Sequence, residues 1–76
     1  MIREKIVTDL ALASYLSTVG HKLHSMRPNQ KRLSFIFEGS EALEKDILAY
    51  NNRTARVDPL TFAEIFRNLK AMVLLN

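Results

Sequence analysis

Polar and apolar residues alternate most sharply in Arg32-Leu33-Ser34-Phe35-Ile36-Phe37-Glu38. Leu33, Phe35 and Phe37 recur at period two, which puts three large apolar groups on one face of a β-strand. Ile36 points to the other face and is expected to be half covered. Elsewhere the apolar positions recur every three to four residues. That is the spacing of helices that lie on an apolar surface.

Ahead of this strand, Lys5-Ile6-Val7 reads as a short strand or an extended lead-in. Thr8 is placed to cap a helix over about Asp9 to Thr18, with Asp9 in its first turn, where the dipole favours an acid. Val7 and Leu12 are spaced for a hydrophobic staple. Leu12, Tyr15, Leu16 and Val19 form the expected buried stripe, and Gly20 ends the helix in a left-handed conformation. His21 to Met26 is then a strand with Leu23 inward. Arg27-Pro28-Asn29-Gln30-Lys31 carries turn chemistry, and Arg32 to Glu38 returns antiparallel as the second arm of a hairpin.

After the hairpin, Gly39 breaks the strand and Ser40 caps a second helix, with Glu41 and Glu44 near its first turn. Leu43, Ile47 and Tyr50, with Leu48 beside them, supply its apolar stripe. Residues 51–57 are a polar loop with an extended step at Val57. Asp58-Pro59 is a strong helix start, a capping acid followed by proline at the first helical position. Phe62, Ile65, Phe66, Leu69, Met72 and Val73 share one broad face of this third helix. Arg67, Asn68 and Lys70 lie opposite. The expected fold is a single α+β domain over residues 1–76: a helix, an antiparallel β-hairpin, then two helices, with the helices packed on one face of the hairpin.

Composition narrows the function classes. Seventy-six residues, 47% of them hydrophobic, make one small globular domain. The absence of cysteine removes disulfides, thiolate catalysis and thiolate metal sites. No apolar run approaches the ~18 residues of a membrane helix. The N-terminal segment has no signal-peptide pattern, so a cytoplasmic protein with no membrane partner is expected.

These residues also form a pattern: Thr8-Asp9-Leu10, Leu12-Ala13, Tyr15-Leu16, Gly20-His21-Lys22-Leu23, Phe35-x-Phe37, Tyr50, Arg56-Val57-Asp58-Pro59, Phe62-Ala63 and Leu69-Lys70. From Thr8 to Lys70 the chain resembles a family of short bacterial proteins, some carried by phages and mobile elements, known only as a domain of unknown function. The residues that carry the resemblance are mostly core, caps and turns. It implies the architecture and brings no activity, ligand or catalytic residue.

Several clusters invite chemistry. His21 and His24 stand three apart on a strand, so they face opposite sides and are badly placed to share an ion. Glu38, Glu41, Glu44 and Asp46 form an acidic group that helix-end electrostatics already explains. The serines have no nucleophile-elbow glycines, and there is no glycine loop to cradle a phosphate. The expectation is a protein that is no enzyme and uses neither metal nor cofactor.

The basic residues do have a direction. The chain carries 11 Lys and Arg against 8 Asp and Glu, for a net charge of +3. Lys22, Arg27, Lys31 and Arg32 fall on the hairpin, and Arg53 and Arg56 fall in the second long loop. A basic two-stranded ribbon can enter a major groove or follow a phosphate backbone. Asn29, Gln30, Asn51 and Asn52 could add hydrogen bonds. Charges also gather on exposed turns simply to keep a protein soluble. The leading expectation is an accessory protein that contacts DNA or RNA through these six residues. The alternative is an interaction module or homodimer, which binds itself or another protein through the apolar C-terminal helix. Whether the two basic segments share one face discriminates between them.

Overall fold

A computed structural model describes residues 3–29 and 32–75. Its elements are β1 (Glu4–Val7), α1 (Leu10–Thr18), β2 (Leu23–Asn29), β3 (Arg32–Glu38), α2 (Glu41–Asn51) and α3 (Pro59–Leu75). The α+β architecture follows the sequence pattern, with one addition. The segment at Lys5-Ile6-Val7 is a strand, and it makes the hairpin a three-stranded antiparallel sheet of order β1-β3-β2. β3 is therefore central and gains neighbours on both sides. β1 and β2 both run antiparallel to it, hence parallel to each other, and α1 crosses from one edge of the sheet to the other.

Central placement explains the burial of β3. Leu33, Phe35 and Phe37 enter the core cluster with residues from α1, α2 and α3. Ile36 and Ser34 lie on the other face, outside that cluster, yet they are also buried. The half-covered Ile36 expected from the sequence is a full 0% exposed. The register supplies the reason. Glu4 stands beside Glu38 and Arg27 beside Ser34. The Arg27 guanidinium donates to the Glu4 carboxylate at 3.0 Å. That bond crosses the central strand diagonally at the level of Ile36.

The first arm of the hairpin begins later and runs further than His21 to Met26. Arg27, Pro28 and Asn29 belong to β2, and Asn29 pairs with Arg32. The connection at 30–31 lies outside the described residues. Pro28 is accommodated because β2 is an edge strand. A register shift between Leu23 and Ser25 inserts one extra residue opposite β3. This bulge lets Leu23 and Met26, three apart in sequence, pair with Phe37 and Phe35 on the core face.

The buried centre of the helical layer is α1. Four consecutive residues, Ala13, Ser14, Tyr15 and Leu16, are buried, which means that the middle turn of α1 is enclosed on nearly all sides. Ser14 tolerates this because its hydroxyl donates to the Leu10 carbonyl at 2.8 Å. The cap is Asp9, not Thr8: its side chain accepts from the Ala11 and Leu12 amides. Val19 is not in the stripe. It is the C-cap residue and is exposed. α2 behaves as its pattern predicts at the start, where Ser40 accepts from the Leu43 amide at 3.0 Å. Leu43 is its one buried residue, while Leu48 is exposed. Among the described residues of α3, only Leu69 is buried. Phe62, Ile65 and Val73 pack against the core from partial exposure, and Met72 is exposed.

Candidate nucleic-acid interface

Two segments decide where the basic residues stand. The hairpin tip is the Arg32 end of β3, and Glu38 marks the opposite end. α1 begins just after Val7, which pairs with Phe35, and it delivers the chain to β2 beside Phe37. α1 thus runs from the tip end toward the Glu38 end. α2 starts at the Glu38 end and returns. His21 Nε2 lies 2.6 Å from Asp46 Oδ2, and the Tyr15 and Tyr50 rings are 5.5 Å apart. Burial pushes the Tyr15 hydroxyl pKa up, helped by the charge of Asp46. Burial does the same at Tyr50, helped there by Asp9 at the start of α1. α2 is therefore antiparallel to α1, and the Arg53–Arg56 loop at its end returns toward the start of α1.

The local geometry of that loop is specific. Arg53 has φ +62, the left-handed region. Its amide donates to the Tyr50 carbonyl and the Thr54 amide to the Ala49 carbonyl, at 3.1 and 3.0 Å. This pair of bonds is the Schellman ending of a helix, in which the left-handed position usually holds glycine. α1 ends the same way. Gly20, at φ +103, donates to the Ser17 carbonyl and His21 to that of Leu16. Arg56 Nη1 donates back to the carbonyls of Ala55 at 2.8 Å and Arg53 at 3.3 Å. The Arg56 guanidinium thereby braces the loop that presents Arg53. Ala55 and Val57 anchor the same loop on the core cluster.

The six basic positions named from the sequence do not form one set. Arg53 and Arg56 follow the end of α2, on the side of the molecule where α1 begins. Lys31 lies outside the described residues. Arg27 is on the sheet face away from the helices, engaged by Glu4. Lys22 precedes Leu23, whose partner is Phe37, so it stands at the far end of β2. Sequence reasoning missed the Arg27–Glu4 pair because the two residues are 23 apart, and only the strand order brings them together.

The acidic and histidine clusters are divided among separate elements. His21 turns to Asp46 in the helical layer, whereas His24 approaches Glu38 at 4.0 Å. Glu44 bonds Lys5 across β1 and α2. Gly39 holds the strand exit close: its amide donates to the Arg3 carbonyl at 2.6 Å. A Cβ at Gly39 would meet Arg3 Cβ at 3.2 Å. Among the described residues no three His, Cys, Asp or Glu side chains converge as a metal site. No helix there is long and apolar enough to cross a membrane.

A family model described as a domain of unknown function, DUF5659, matches residues 3–75. The chain belongs to that family. No curated protein and no solved structure gives a match.

Proposed function

We propose that this member of the DUF5659 family is a non-catalytic cytoplasmic protein of a bacterium or mobile element that binds DNA or RNA at the tip end of its sheet. Arg53 and the Arg32 segment supply phosphate contacts, and Arg56 holds Arg53 in place. The observation that carries the reading is the left-handed Arg53. A cationic residue sits where glycine would be free of strain, on a loop braced by a second arginine. Strain retained at a basic loop is the pattern expected of a working residue. Backbone phosphate contacts position a protein without reading sequence, so binding should be broadly tolerant of sequence.

A second reading, an interaction module working through α3, is favoured by the exposure of Leu60, Met72 and Leu74. The experiment that separates them is a titration of fluorescently labelled duplex DNA, single-stranded DNA and RNA with Arg53→Ala, Arg56→Ala and Lys22→Ala variants. The nucleic-acid reading expects the two loop variants to weaken binding and Lys22→Ala, at the opposite end, to leave it nearly unchanged. Equal effects at all three positions would contradict it.

A further inference from the structure

α3 turns a regular line of residues away from the domain. Leu60, Glu64, Arg67, Ala71 and Leu74 follow one another at steps of four, three, four and three, and all five are exposed. Those steps are the spacing of the seam along which two helices pack in a coiled coil. Leu60 and Leu74 are 73% and 75% exposed, the highest values among the described large apolar residues. The core is served by the other side of α3, through Phe62, Ile65, Leu69 and Val73. Folding therefore does not account for the line.

Size and charge select its partner. In an antiparallel pair, the register that sets Leu60 against Ala71 also sets Glu64 against Arg67. A two-fold axis repeats both contacts, so the line is complementary to itself. Sliding the helices to the next seam register sets Glu64 against Leu74 and Arg67 against Ala71, which leaves both charges facing apolar groups. Centring the pair on Arg67 sets that residue against its own copy. A parallel pair sets Glu64 against Glu64 and Arg67 against Arg67. Only the first arrangement joins large to small and acid to base over Leu60, Glu64, Arg67 and Ala71, with Leu74 beyond the paired stretch.

We infer that α3 associates with the α3 of a second copy of this chain, antiparallel, along Leu60, Glu64, Arg67 and Ala71. Four seam layers on one helix make a small interface, so the association depends on concentration. The alternatives also fix the register, since each sets like charges together or leaves a charge against an apolar group.

Sedimentation velocity on the full chain, from about 10 μM to about 1 mM, tests this over the range where a weak dimer forms. The expected result is a monomer–dimer equilibrium. Glu64→Arg and Arg67→Glu should each raise the dimer dissociation constant about tenfold or more, because like charges then face across the seam. An equimolar mixture of the two variants should regain association, since each carries the charge that the other lacks. The double variant should associate with itself. Circular dichroism confirms that each variant is folded. A monomer at every concentration would overturn the proposal. So would a dimer indifferent to the single variants, or a mixture no tighter than its components.

Discussion

Arg53 occupies at the end of α2 the position that Gly20 occupies at the end of α1: left-handed, with its amide bonded to the carbonyl three residues back. The two helix ends share one set of hydrogen bonds and differ in the residue that must adopt positive φ. Glycine does so without a Cβ penalty, whereas an L-residue is strained there by about 1–2 kcal/mol.

Two substitutions should therefore move stability in opposite directions. Arg53→Gly should stabilise the domain by up to about 1 kcal/mol, part of the relief being offset by a more flexible unfolded chain. Gly20→Ala should destabilise it by about 1 kcal/mol through the backbone alone, because a Cβ at Gly20 meets nothing within 4 Å. Urea denaturation checks both. If Arg53 also contacts phosphate, Arg53→Gly should raise stability and weaken nucleic-acid binding at once. A gain in both would separate Arg53 from the interface.

The Glu4–Arg27 pair gives a second expectation. Its side chains are 47% and 56% exposed, so water and salt screen it and the pair contributes at most about 1 kcal/mol. Glu4→Gln should lower stability by less than that. It should also release a cation from its partner on the sheet face. If Arg27 belongs to the binding surface, Glu4→Gln should tighten nucleic-acid binding at low salt. If Arg27 serves only to close Ile36 from solvent, affinity should not change.

The two faces of β3 should both be sensitive. Phe37→Ala should cost about 3–5 kcal/mol and Ile36→Ala about 2–5 kcal/mol. In a domain of 76 residues either loss can exceed the whole stability. Thermal melts would show it. A near-native melt for Ile36→Ala would mean that the outer face contributes little despite its burial. Ser40→Ala should cost about 1 kcal/mol through loss of the α2 cap.

Stability should also fall at both ends of the pH scale. The Thr61 backbone amide, and then its hydroxyl, hold the Asp58 carboxyl below its ordinary 3.8. A lowered folded-state pKa gives stability present above the unfolded value and lost as pH falls through the folded one. The Asp58 contribution should thus begin to fall as pH drops through the ordinary 3.8 and be lost below the lowered folded value, and Asp58→Asn should blunt that loss. Tyr15 and Tyr50 are shifted upward from 10.0, mainly by burial. Their contribution is full below pH 10 and is lost as pH rises through the folded values. Tyr50→Phe should reduce the alkaline loss. Chemical denaturation across the pH range reads both limbs.

Much of this fold is legible in local chemistry. The period-two run of β3 announces the core strand, and Ser40 and Asp58 announce two helix starts through their caps. Other features depend on neighbours that the sequence does not display. Ile36 looks half covered until β1 makes its strand central. Leu23 and Met26 look out of phase because a bulge without glycine carries no local sign. The middle turn of α1 is enclosed on nearly all sides, so a single stripe cannot describe it, and its buried Ser14 reads as surface. Of the candidate site, the basic character of the hairpin and loop is visible in the composition. The diversion of Arg27 to Glu4 and the left-handed Arg53 are not, since the first needs the strand order and the second stands where glycine is the usual signal.

The salt dependence of nucleic-acid affinity tests the binding claim most directly. Each phosphate contact releases counterions, so log affinity should fall linearly with log salt, with a slope of about −0.9 per contact on duplex or −0.7 on single strands. Fluorescence anisotropy from about 50 to 200 mM salt would give that slope. With Lys31→Ala and Arg32→Ala together it should flatten by roughly two units, and Arg53→Ala should remove roughly one more. Binding by the wild-type chain with those losses is the predicted result. A folded protein that binds neither DNA nor RNA at about 50 mM salt, or whose slope is unmoved by these variants, would contradict the account.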